Sequence, residues 1–178
     1  MEIDEWHPPS TARMPDGPDA FPATGVNSLA PLGSRAVARL IDSTLVSVPA
    51  FAAFAVATIA TVGLEGDPEA MANDTGLTLW LTGTWFVVSV LYETVSVALW
   101  GQTLGKLALG VRVARQANGR CPLWWEAGIR IALPALVFAV PHPAAAVAVM
   151  VLYAVAVFDP MRRGVPDRAA GTVVVRSR

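Results

Sequence analysis

Residues 34–62 read SRAVARLIDSTLVSVPAFAAFAVATIATV, a long apolar run whose first third carries Arg35, Arg39 and Asp42. A membrane-crossing helix needs about 20 mostly apolar residues to pass a hydrocarbon core of about 30 Å, and Ala36–Val62 satisfies this with some tilt. At helical spacing Arg35, Arg39 and Asp42 fall at i, i+4 and i+7, on one face. Asp42 lies about 10 Å along the axis from Arg35, at the edge of the apolar layer or inside it. An aspartate near the middle of a span costs roughly 2.5–3.5 kcal/mol, so it faces protein and takes a partner. Arg39 and Arg35 are the nearest partners. Two readings stand. The arginines anchor the helix at the headgroups while Asp42 neutralises one of them, or the charges form a functional site. Pro49 predicts a kink.

The rest of the chain agrees with a membrane protein. Its 178 residues are enough for one domain, and 54% hydrophobic content with mean hydropathy +0.50 suits a small polytopic protein better than a soluble one. The single Cys121 excludes an intramolecular disulfide. His7 and His142 are far apart without ligand-like neighbours, so neither a metal site nor a cofactor is expected. No Ser/His/Asp or Cys/His set stands out, an enzyme is not expected, and neither is a nucleic-acid partner.

Residues 1–31 hold five acids, one arginine and many Pro and Gly, which predicts a disordered acidic tail. Trp6 and Phe21 are isolated in it as candidate anchors. After the first span, 63–76 (GLEGDPEAMANDTG) has four acids and no Lys or Arg. A second span covers 77–100, with Glu93 as its one ionisable group before the chain turns at Gly101. Thr82, Ser89, Glu93 and Ser96 make one polar stripe on that helix, a pattern also used as plain helix-to-helix glue. Residues 101–125 carry Lys106, Arg112, Arg115 and Arg120 and no acid. Leu109–Ala114 alternates loosely, Asn118-Gly119 signals a turn, and a short hairpin or interfacial segment fits. Val173–Val175 is a candidate strand partner for Leu109–Ala114. GQTLGK is not a phosphate loop, because three residues separate its glycines and Leu107 follows the lysine.

Residues 126–158 would be about 50 Å long as one helix, too much for one crossing. Pro141 and Pro143 break the stretch, giving two short helices over 127–140 and 144–158. Positive residues mark cytoplasmic loops. The acid-only loop 63–76 is then outside, and the basic loop 101–125 and the C-terminal segment, with five arginines, are inside. The third apolar stretch must therefore turn back on itself. The expected fold is an all-α integral membrane protein with two long spans and a Pro-broken helical hairpin, both termini cytoplasmic. On that topology Arg35, Arg39, Asp42, Glu93 and Arg130 lie in the inner half and are expected to form one buried ionic cluster.

Three runs taken together resemble the RDD family, small bacterial integral membrane proteins named for one arginine and two aspartates. They are Arg35-x-x-Ala38-x-x-x-Asp42, the GQTLGKLALGVRV run with Gly101, Gln102, Thr103, Gly105 and Lys106, and Asp167-x-x-x-Gly171-Thr172. Arg35 matches the signature arginine, Asp42 the first aspartate and Asp167 the second, while Arg130 resembles the arginine that follows the glycine-rich loop. The likeness spans residues 32–176, with the tail outside it. It implies a bacterial inner (plasma) membrane protein and allows two functions. One is a structural or accessory subunit, alone or in a homo-oligomer or larger complex. The other is a secondary transporter, such as a cation/proton antiporter, with Asp42 and Glu93 taking a monovalent cation or proton in turn. The topology predicts that a reporter fused to the C-terminus reads as cytoplasmic, and an external reading overturns the returning third stretch.

Overall fold

The computed structural model describes residues 15, 17–62, 74–138, 140, 142 and 144–178. Two long helices dominate it, α1 (Leu32–Val62) and α2 (Thr75–Trp100). At 1.5 Å per residue they measure about 46 and 39 Å, more than a hydrocarbon core. Their most apolar windows are only 6% and 11% buried by the protein itself. A core helix of a soluble protein covers such a surface with its own chain. Here the apolar faces are left for lipid.

The capping chemistry is local. Asp74 is the N-cap of α2, its carboxylate accepting from the Leu77 amide at 3.0 Å. The same helix ends at Gly101, which sits in the left-handed region at φ 67°. A side chain there would meet the Val113 carbonyl at 2.9 Å, and the Gly101 carbonyl in turn accepts from the Val113 amide at 2.7 Å. The chain then makes a one-turn helix α3 (Leu104–Ala108), capped by Thr103, and enters strand β1 (Val111–Arg115). Helices α4 (Trp124–Phe138) and α5 (Ala144–Ala154), a 3-10 turn at Val155–Val157, a short α6 (Val165–Ala169) and strand β2 (Thr172–Arg176) complete it. α4 packs against α2, α5 and α6, and α1 packs against α2 and α3.

The expectation of an all-α fold is corrected by the sheet. β1 and β2 pair antiparallel, from Val111↔Arg176 to Arg115↔Thr172, the partnership anticipated between Leu109–Ala114 and Val173–Val175. The Asn118-Gly119 turn exists, with Gly119 at φ 69°, but it closes no hairpin, because β1 takes its partner from the far end of the chain. The alternation of β2 gives the sheet two apolar faces. Val174 packs with Ala30, Val97, Val111, Val113 and Ala127, and Val173 and Val175 pack with Phe21, Ala114 and Met161.

Part of the segment expected as disordered tail is built into the fold. Residues 27–30 run along β2, with Ala30 donating to the Val174 carbonyl at 3.0 Å and Leu29 bridged to Val175. Phe21 is buried against the sheet, which is why Pro- and Gly-rich chain is ordered there. Trp6, residues 63–73 of the acidic loop, Pro141 and Pro143 lie outside the described residues.

One close approach joins the loop to the first span. The Gly105 amide donates to Asp42 Oδ1 at 2.8 Å. A β-carbon on Gly105 would strike the Ala38 carbonyl and come within 2.9 Å of the Asp42 carboxylate. Gly105→Ala is therefore expected to destabilise the protein by about 1–3 kcal/mol through overpacking, read as a lower melting temperature in detergent. An unchanged value would mean that α3 is not held against α1.

Candidate ionic site

Glu93 projects from α2 into a space bounded by three cations. Arg39 of α1 hydrogen-bonds its Oε2, Lys106 of α3 donates to Oε1 at 3.1 Å, and Arg130 Nε of α4 stands 4.0 Å from Oε1. Arg39 also lies over the Tyr153 ring, 5.2 Å from its centroid, a favourable cation–π placement.

Asp167 of α6 is a second anionic node. Arg35 of α1 hydrogen-bonds Asp167 Oδ2, Arg130 Nη1 lies 2.6 Å from Oδ1, and the Gly164 amide donates to Oδ2 at 3.2 Å. Arg35 also donates to the Arg162 carbonyl, and Arg130 to the Thr172 hydroxyl at 3.1 Å. Arg130 therefore links the two nodes, one carboxylate on each side of it. It is 3% exposed, which leaves little water to share the pairing.

Asp42 is held differently. The sequence offers Arg39 and Arg35 as its partners, yet both reach across to other elements. Asp42 instead accepts from the Tyr92 hydroxyl at 2.9 Å, the Thr103 hydroxyl at 2.5 Å and the Gly105 amide. These neutral donors satisfy a buried carboxylate without a counterion. The expected five-residue cluster is thus an ion-pair network of Arg35, Arg39, Glu93, Lys106, Arg130 and Asp167, with Asp42 docked beside it as a hydrogen-bonded acceptor. Lys106 and Asp167 were legible as motif residues but not as members of the network, and Tyr92 and Tyr153 carried no sequence signal of their own.

Of the remaining motif residues, Gln102 donates to the Val111 carbonyl and to the Ser177 hydroxyl, both at 3.0 Å, tying the loop to the strand ends. Gly171, at φ 61°, forms the turn into β2, and Thr172 packs under Arg130. Two cavities adjoin the network. One, of about 350 Å³, is lined by Asp42, Glu93, Arg39, Ser43, Ser47 and Ser89 among others. The other, of about 560 Å³, lies on the side of Arg35, Lys106 and Arg130. Among the described residues no set of His, Cys, Asp or Glu is placed to hold a metal ion.

Long lipid-facing helices around a buried ion-pair network define a helical membrane protein whose charged groups face its own interior. The chain belongs to the RDD family, whose model matches residues 29–171. Comparison with curated proteins gave no match, and comparison with solved structures gave none. Arg35, Asp42 and Asp167 all fall within the matched residues, and all three sit in or beside the network.

Burial lowers the Lys106 ammonium to about 8 against the opposing pull of Glu93. Burial alone would raise the Asp167 carboxyl, but Arg130 and then Arg35 outweigh it and hold the group below its ordinary 3.8. A carboxyl depressed by folding contributes stability that is fully present above the unfolded value. That contribution is lost as pH falls through the folded one. Asp167→Asn is expected to cost about 3 kcal/mol at pH 7, the penalty for leaving buried arginines unpaired. It should also flatten the loss of stability below about pH 4. A variant with the wild-type acid profile would remove Asp167 from the network.

Proposed function

We propose that this protein is a structural or accessory membrane subunit rather than an enzyme, with its buried network specifying how the helices pair. The observation that carries this reading is that each carboxylate of the network and Asp42 beside it already face cations or hydrogen-bond donors of the protein itself. Glu93 faces three cations, Asp167 faces two cations and an amide, and Asp42 accepts three hydrogen bonds. A site that loads and unloads a cation needs a carboxylate with a vacant position. The charge balance points the same way. Four cations (Arg35, Arg39, Lys106, Arg130) stand against three carboxylates (Asp42, Glu93, Asp167), a surplus of one positive charge that repels a cation. Buried ionic groups of this kind fix helix register and partner choice. The reading places the chain in a bacterial inner membrane with both termini cytoplasmic, the basic loop and C-terminal segment inside, and α4 and α5 as a returning pair. Its exposed apolar faces are available to lipid, to a second copy or to a larger complex.

One observation favours secondary transport as the second reading. Asp42 and Glu93 line the same cavity of about 350 Å³, with Ser43, Ser47 and Ser89 on its walls. Cation/proton exchange would use those two carboxylates in turn.

Liposomes holding the purified protein and an internal pH dye distinguish the two when Na⁺, K⁺ or Li⁺ is pulsed outside. The expected result is no cation-dependent proton flux from well-inserted wild type. Glu93→Gln should lower the melting temperature by roughly 5–10 °C, because Arg39, Lys106 and Arg130 lose their shared counterion. Flux that is abolished in Asp42→Asn or Glu93→Gln, with folding intact, would overturn the structural reading and establish exchange.

A further inference from the structure

The larger cavity has an unusual lining. Arg35, Arg39, Lys106 and Arg130 all border it, and no carboxylate does. Apart from these and Tyr153, every residue on its wall is apolar. The two carboxylates that pair with the four cations, Glu93 and Asp167, lie outside that wall. With Asp42 counted, the four cations stand against three carboxylates, a surplus of one positive charge, and no carboxylate borders this cavity.

Donors are also left over. Arg130 Nε has no hydrogen-bond partner among the described residues although it is buried. Among those residues the Lys106 ammonium makes one hydrogen bond, to Glu93, and an ammonium has three to give. Surplus charge and unspent donors in an apolar setting are costly unless an anion supplies the balance.

We propose that this cavity binds an acidic phospholipid, its phosphate headgroup on the four cations and the start of an acyl chain on the apolar wall. The volume, about 560 Å³, falls within the range of small-molecule sites. The cavity also has a lipid-facing rim, because Met150 and Val157 line it while being 67% and 64% exposed. A ligand can therefore enter sideways from the bilayer and keep its tail there. Free inorganic phosphate would reach the same cations but would gain nothing from the walls and would lose its hydration against them. Basic pockets between membrane helices recognise anionic headgroups by this combination. The inference needs a membrane around the chain but does not depend on whether the protein is a scaffold or a transporter.

The test uses the full chain in neutral detergent, with phosphatidylglycerol, phosphatidylcholine or inorganic phosphate added at equal phosphorus. Melting temperature and lipid retained in native mass spectrometry are the readouts. Phosphatidylglycerol should raise the melting temperature by about 5–10 °C at saturation and stay bound as one molecule per chain, while the other two do neither. Ala154→Trp and Ala36→Trp narrow the cavity from exposed wall positions without touching an ion pair. Each should keep the wild-type melting temperature without lipid and lose the phosphatidylglycerol shift. Equal stabilisation by phosphatidylcholine would overturn the proposal, and a matching rise with inorganic phosphate would make the site one for a free anion. A phosphatidylglycerol shift that survives in both tryptophan variants would place any lipid elsewhere and equally overturn it.

Discussion

The carboxylate of Glu93 joins four elements of this fold. Through it α2 is tied to α1 by Arg39, to the α3 turn by Lys106 and to α4 by Arg130. Among the described residues α2 and α4 share only the small buried hydrophobic cluster around Val97 and Ala127, and the long helices leave most of their apolar windows uncovered. In lipid, apolar packing between helices gains little over apolar contact with acyl chains. Directional polar contacts must then decide which helix faces meet. An ion pair shared among three elements does this well, because a rotation of any helix leaves a charge in hydrocarbon without a partner.

The network meets its desolvation cost through geometry. Asp42 shows the alternative solution in the same protein. It has the same formal charge as Glu93 and comparable burial, 5% against 3% exposed, yet it is stabilised by two hydroxyls and an amide. Those donors come from α2 and the α3 turn, so Asp42 fastens the same elements by a different interaction. Thr103 serves both sides, giving its proton to Asp42 and accepting from the Lys106 amide at 3.4 Å at the start of α3. Lys106 is thus oriented toward Glu93 by the group that also satisfies Asp42. The glycine-rich loop therefore works as a connector, and the absence of a β-carbon at Gly105 is what lets its backbone reach the carboxylate.

The spans were legible because twenty-odd apolar residues in a row have one common solution. Glu93 and Asp42 stood out because a charge in such a run demands a partner. The identity of those partners was not legible. Arg39 and Arg35 lie at helical spacing from Asp42, and local spacing favoured that pairing, but their longer side chains reach Glu93 and Asp167 on other elements. Asp167 is 132 residues from Arg35, a distance no periodicity can read, and its place followed only from the motif. The small sheet was visible as a loose alternation in one strand and a run of three valines in the other. Phe21 was not, because a single aromatic in a Pro-rich acidic stretch looks the same whether solvated or inserted between a strand and a turn.

The sheet explains why charged and membrane-facing parts can coexist in so short a chain. β1 follows α2 after the short α3 turn, and β2 lies directly after the α6 helix that carries Asp167. Pairing β1 with β2 therefore brings the end of the chain back to the loop that follows the second span. This positions Asp167 against Arg35 and Arg130, and places residues 27–30 beside β2, where α1 begins. Arg35 and Asp167 are thus brought together by two strands of five residues each. Without that closure Arg35 would have no carboxylate to meet at the start of α1. The ion pairs and the sheet then require each other, since the pairs fix the helix faces and the sheet returns the one acid that the spans do not carry.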